Sequence, residues 1–212
     1  MACSMPRHAL RLRSVIWATR TSRALTGSSV QCTELIPLLT MIKIVPYDRA
    51  WPSLFEAEAT CIREAMRGRA LCVEHVGSTA VPGLAAKPVI DIQVSVATLA
   101  PLGTHAESLA KLGYTYIPLG PFDLVYPFFQ KPVEWPHTHH IHLCVLGEEQ
   151  ERRHLAFRDY LRSHPAVAAE YVELKRGLAA AHDGATLESR ENYSLSKSPF
   201  VASVLERALS AG

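Results

Sequence analysis

Eight residues near the middle of the chain, Val89-Ile-Asp-Ile-Gln-Val-Ser-Val, alternate without a break. Successive side chains of a strand point to opposite faces, so Ile90, Ile92, Val94 and Val96 form an apolar face. Val89, Asp91, Gln93 and Ser95 form a mixed-polar one. Such a segment belongs in a sheet with its apolar face covered. A carboxylate in mid-strand then needs a partner, because an uncompensated buried charge is costly. A divalent cation would supply one.

The segments around this strand define the rest of the fold. Met41–Tyr47 reads as an opening strand, and the Ser53–Glu56 spacing as a capping box starting a helix that runs to about Arg67, with Gly68 just past its end. Ala70–Val76 reads as a strand, Thr104–Leu112 as a helix stopped by Gly113, and Tyr114–Leu119, Leu124–Lys131 and His139–Leu146 as further strands. From Glu148 the pattern is helical. One helix covers Glu148–Ser163, a second starts at Pro165 and ends near Asp183-Gly184, and a last one covers Ser198–Leu209. The order predicts an α/β (α+β) fold: a mixed sheet with helices on one face, over residues 41–147, and a helical C-terminal part over 148–212. Leu155, Leu161, Val172 and Leu178 are expected as core of that part.

Residues 1–40 are set apart. They hold five Arg and one acid, Glu34. Of 22 basic and 20 acidic residues in the whole chain, 17 and 19 therefore remain in 41–212. The folded part is slightly acidic, which argues against a long nucleic acid as partner. The first forty residues read as a mis-assigned start ahead of Met41 or as a transit peptide. The first reading places the protein in the cytoplasm, the second in mitochondria. No run of about 18 apolar residues suggests a membrane span. Five Cys without paired spacing suggest a reducing compartment, with Cys61, Cys72 and Cys144 as small core residues.

The chemistry should sit where the strand before residue 77 meets a glycine turn. Gly77 allows close backbone approach to a ligand, and the Ser78 and Thr79 hydroxyls with the turn's N–H groups can hold phosphate oxygens. Twelve residues separate Ser78 from Asp91. Lys87, in the intervening loop, can counter phosphate charge or remain solvated. Four imidazoles fall within six residues at His137, His139, His140 and His142. His140 and His142 share a strand face and suit a metal or phosphate, whereas His137 and His139 are left on the loop. His75 either faces the site or packs. Arg158 with Arg162, and Tyr193 with Lys197, lie four residues apart, one helical turn.

The run His75-Val-Gly-Ser-Thr-Ala-Val-Pro-Gly-Leu-Ala-Ala-Lys-Pro-Val-Ile-Asp-Ile resembles the GrpB family (UPF0157), and more distantly the nucleotidyltransferase superfamily of the DNA polymerase β type. The similarity continues in His139-His-Ile-His-Leu, Phe157-Arg-Asp-Tyr-Leu-Arg, Tyr171–Lys175 and Tyr193–Lys197, and covers about Ile42 to Ala208. It implies a nucleotidyltransferase-like core that grips a nucleoside triphosphate through Gly77 and Ser78, to which the reading of the turn and loop adds Thr79 and Lys87. It also implies a divalent metal on Asp91, with Mg²⁺ first and Mn²⁺ or Zn²⁺ as alternatives. The reaction would move a nucleoside monophosphate onto a protein or small-molecule acceptor.

One departure qualifies this. Where the superfamily carries a second acid, the chain has Gln93, a weaker ligand for Mg²⁺. The third position should fall on the His139–Leu146 strand, so His140 and His142 become metal ligands and Asp91 with His142 the catalytic residues. His75, Gln93, Arg158, Tyr193 and Lys197 are further candidate substrate contacts. Two alternatives stay open: a non-catalytic nucleotide-binding module, and a metal-dependent phosphohydrolase built on the His-rich strand.

Overall fold

The computed structural model describes residues 41–210, and the expectations for residues 1–40 lie outside them. The first regular element is a helix, α1 (Trp51–Met66). Its buried residues, Trp51, Phe55, Ala59, Ile62 and Met66, recur every three to four positions and form one apolar stripe. The expected capping box at Ser53–Glu56 does not form. The helix starts three residues earlier, with a proline in its first turn, and Ser53 Oγ donates back to Ala50 O at 3.0 Å. Arg67 and Gly68 close it in the left-handed region. Met41–Tyr47, expected as a strand, makes a single bridge, Val45 to Ala86.

Beyond α1 come β1 (Cys72–Val76), a 3₁₀ turn at Ser78–Ala80, β2 (Ile90–Val96), α2 (Leu102–Ala110) and β3 (Thr115–Ile117). A second 3₁₀ turn (Gly120–Leu124) replaces the start of the strand expected at 124, and β4 (Phe128–Lys131) and β5 (His139–Val145) follow. The C-terminal part holds α3 (Glu149–Ser163), α4 (Pro165–Ala181), α5 (Leu187–Leu195) and α6 (Ser198–Ser210). Helix α5 was not expected. It is polar, and its start is marked only by Thr186, whose hydroxyl accepts from Ser189 N at 3.1 Å.

The five strands pair in the order β1-β2-β5-β4-β3. β2 and β5 run parallel, and the other neighbours antiparallel. One sheet face presents Val73, Ile90, Ile92, Val94, Val96, Ile141, Leu143 and Phe129, which α1 and Leu109 of α2 cover as the main core. The opposite face is not left to solvent. Gln93 and Ser95 are fully buried there under α3. The core helices α1 and α2 thus lie on one face as expected, and the helical C-terminal part, whose placement the sequence left open, covers the other.

The polar residues of this second face are the means by which α3 docks. Ser95 Oγ donates to Glu151 Oε1, His154 Nδ1 to Gln93 Oε1 at 2.9 Å, and Arg158 to Glu74 Oε2 at 2.7 Å and His75 O at 3.1 Å. Arg162 donates to Ala80 O at 2.8 Å. Residues 151, 154, 158 and 162 follow the helical repeat, so one polar stripe of α3 reads one polar face of the sheet. A smaller apolar cluster, Val81, Leu84, Leu161 and Tyr171 with Phe157 and Phe200 against it, ties the 81–84 loop to α3, α4 and α6. Leu161 is buried as expected, while Leu155, Val172 and Leu178 are only half-buried. Cys144 is buried, but Cys61 is exposed and is not core.

Candidate functional site

The parallel pairing of β2 with β5 sets the site. It places Asp91 beside His140 and Gln93 beside His142 on one face. β1 delivers the chain to Gly77, whose φ of 68° and ψ of −167° suit glycine. A Cβ on Gly77 would stand 2.9 Å from Asp91 Cβ, so the turn can lie directly against the carboxylate only because that position has no side chain.

Above this turn the sheet and the C-terminal helices leave a chamber of about 830 Å³. That is the size of a small-molecule site. Gly77, Ser78, Lys87, Asp91, His140, His142, Tyr193 and Lys197 all line it, as do Arg153, His154 and Lys175. Phe122, Tyr126, Phe128 and Phe157 supply aromatic wall. Among the lining residues four are cationic, Lys87, Arg153, Lys175 and Lys197, against one carboxylate. A wider groove of about 1050 Å³ runs between the 81–85 loop and α4, but its charged residues, Arg162, Glu170, Glu173 and Arg176, are all exposed and do not converge. The chamber is the candidate site.

Four candidate contacts fall outside it. His75 points to the other sheet face, its ring stacked on Phe55 at 4.8 Å. Thr79 is buried and donates to Val89 O at 3.1 Å, so its oxygen accepts from His75 Nε2–H at 3.0 Å. It braces the turn and is not free for phosphate. Gln93 is buried behind His154, and its Nε2 has no partner among the described residues. Arg158 is engaged by Glu74, Asp159 and the β1 backbone.

Inside the chamber, Asp91 Oδ1 accepts from His140 Nδ1 at 3.1 Å, and His140 Nε2 lies 3.1 Å from His137 Nδ1. His137, assigned to a free loop from sequence, thus backs the site. Burial pushes the Asp91 carboxyl up, but the hydrogen bond from His140 and the positive charge of Lys87 hold it well below the usual carboxylate range. His142 is pulled down to about 3, first by burial and then by His154, and is neutral. Lys175 donates to Ala85 O at 2.6 Å and Ser78 Oγ at 3.1 Å. Burial, with Lys197 nearby, pulls it down to about 7, and burial with Lys87 nearby pulls Lys197 down to about 8. Burial lowers Lys87 as well.

Lys175, Arg153 and His154 were not picked out from sequence. A signal existed for Lys175, because Tyr171–Lys175 repeats the four-residue spacing of Tyr193–Lys197. The two ammonium groups lie 4.6 and 4.5 Å from those Tyr rings. For Arg153 and His154 there was none, since α3 reads as a charged surface helix.

A Mg²⁺ centre needs several oxygen ligands. Asp91 is the one carboxylate here, and one of its oxygens is taken by His140. The amide oxygen of Gln93 is taken by His154. Among the described residues no group of three or more His, Cys, Asp and Glu converges to hold a metal. The expected ligand set of Asp91, His140 and His142 does not fit the ion.

Comparison with known proteins agrees with the resemblance to the GrpB family. The model of the family described as "GrpB protein" matches residues 41–207. A UPF0157 protein of Pseudomonas aeruginosa is 42% identical over 177 residues, covering 80% of this chain and 69% of that protein. A protein of Mycolicibacterium paratuberculosis named dephospho-CoA kinase is 32% identical over 166 residues, covering 68% of this chain but only 41% of the longer protein. The crystal structure of conserved protein GrpB from Enterococcus faecalis superposes with a TM-score of 0.68 at 37% identity, covering 80% of this chain and 98% of that one. With the family match spanning nearly every described residue and a crystal structure sharing both the fold and more than a third of the sequence, the chain belongs to the GrpB protein family.

Proposed function

We propose that the chamber binds a nucleoside triphosphate and that the protein transfers its nucleoside monophosphate group to a hydroxyl of a protein or small-molecule acceptor. The observation that carries this reading is the convergence of the Gly77-Ser78 turn, the Asp91 carboxylate and the lysines 87, 175 and 197 on one cavity of about 830 Å³. A lysine charge about 4 Å from a phosphate charge contributes about 4 kcal/mol of attraction at an effective dielectric of about 20. The aromatic wall offers a surface for a base.

In the reaction the acceptor oxygen bonds to the α-phosphorus and the bond to the β-phosphate oxygen breaks. Pyrophosphate leaves toward the lysines. Asp91, ionised and oriented by His140, is the group placed to take the acceptor's proton. His142, kept neutral by burial, serves as a hydrogen-bond partner. The kinase name of the Mycolicibacterium relative belongs to a protein of which this chain matches 41%, and no kinase step is carried over to this chain.

The test uses nucleoside triphosphates labelled at the α-phosphate, offered with mixed acceptors. Transfer of label is expected, and Asp91→Asn should abolish it. Ser78→Ala should weaken nucleotide binding about fivefold, the loss of one hydrogen bond, with unchanged melting temperature. Unaltered binding in Ser78→Ala would remove the phosphate turn from the site. A second reading, nucleotide binding without turnover, draws on Gln93, which stands where a second acid would and is turned to His154. Binding without label transfer is its signature.

A further inference from the structure

The cations of the chamber outnumber its acids four to one, and that imbalance bears on how a polyphosphate would be held. Lys87 comes from the loop before β2, Lys175 from α4 and Lys197 from the segment between α5 and α6. Three separate elements thus bring an ammonium group to the wall that also carries Ser78. Each is positioned by the protein itself. Lys87 Nζ lies 4.9 Å from the Trp135 ring centroid, Lys197 rests on Tyr193, and Lys175 is tied to Ser78 and Ala85.

The acidic side is the reverse. Asp91 is one carboxylate already engaged by His140, and the Gln93 oxygen is engaged by His154. A divalent ion placed here would add positive charge to a cationic chamber and find one acid to offset it. A polyphosphate without an ion would find several positive partners and only Asp91 opposing it.

We propose that the chamber takes its polyphosphate free of a divalent ion, with Lys87, Lys175 and Lys197 in the place that the ion would fill. This rests on the nucleotide reading above for the identity of the ligand, but not for its charge chemistry. It makes Asp91 a neighbour that repels the bound phosphates, where a metal-bridged site would make it indispensable for binding them.

Calorimetric titration of the full chain with ATP and with inorganic pyrophosphate tests it, first in excess EDTA and then with Mg²⁺, Mn²⁺ or Zn²⁺. Binding is expected in EDTA, with no gain on adding metal. Asp91→Asn, which keeps the shape and the acceptor for His140, should bind at least as tightly as the parent. Lys197→Met should bind about tenfold more weakly, because it removes one charge-assisted hydrogen bond to the phosphates. Circular dichroism checks that both variants are folded. Binding that needs an added metal, or that disappears in a folded Asp91→Asn variant, overturns the inference and leaves the nucleotide reading standing. Pyrophosphate binding in EDTA with no binding of ATP supports the inference and removes the nucleotide reading. Failure of both ligands under every condition overturns both.

Discussion

Gly77 sits where two constraints meet. Its φ of 68° with an extended ψ lies in a region kept almost entirely for glycine, and its missing side chain leaves room for Asp91. Gly83 has a similar φ of 79°, but a methyl group there would meet nothing within 4 Å, so it isolates the backbone cost alone. Gly83→Ala should destabilise by about 1–3 kcal/mol, and Gly77→Ala by more, because its methyl group must also displace Asp91. Denaturant titration of the two variants checks this. Equal losses would mean that the turn does not press on the carboxylate. From sequence, Gly77, Ser78, Asp91 and Lys87 could be read because a glycine turn and a lone mid-strand acid are anomalies that need explaining. Thr79 looked equivalent to Ser78, but neighbouring residues in a tight turn point different ways, and its hydroxyl went inward to Val89 and His75.

At the scale of elements, β2 was legible because strict alternation leaves few other structures open to it. β5 was also read as a strand, and His140 and His142 do share the Asp91 face. The role of α3 was not legible. Its inner stripe of Glu151, His154, Arg158 and Arg162 reads as exposed charge until the polar face of the sheet is set against it. Arg158 carries much of that docking, with a side chain only 10% exposed. Arg158→Met keeps the length and removes the donors to Glu74 and His75 O. The expected loss is about 2 kcal/mol, since the Glu74 carboxylate and the buried His75 carbonyl are left unpaired while Asp159 keeps Arg162. Chemical denaturation measures it, and a loss below about 0.5 kcal/mol would reduce the clamp to an ordinary surface pair. Arg158→Met should leave nucleotide affinity unchanged if the residue only docks the helix.

Across the whole molecule, the buried imidazoles set the response to acid. Burial lowers His75 and His137 to about 4 and His142 to about 3, against an ordinary value near 6.5. The unfolded chain binds these protons first, so stability is full above about pH 6.5 and declines as pH falls toward 4. Asp91, also held low, adds a further loss in stronger acid. Urea midpoints between pH 7.5 and 4.5 should therefore fall steadily, and a flat profile would show that the imidazoles are not protected as described. No helix among the described residues is long and apolar enough to cross a membrane. The sequence by itself determined the strand at 89–96, the glycine turn, the α/β class and the family, because period-two alternation and turn chemistry act over a few neighbouring residues. Only the tertiary structure decided that helices cover both sheet faces, that Lys175 and Arg153 join the site, and that Gln93 and Arg158 serve packing. Those outcomes depend on which distant segments meet, and a side chain's partner across 60 or more residues leaves no trace in local spacing.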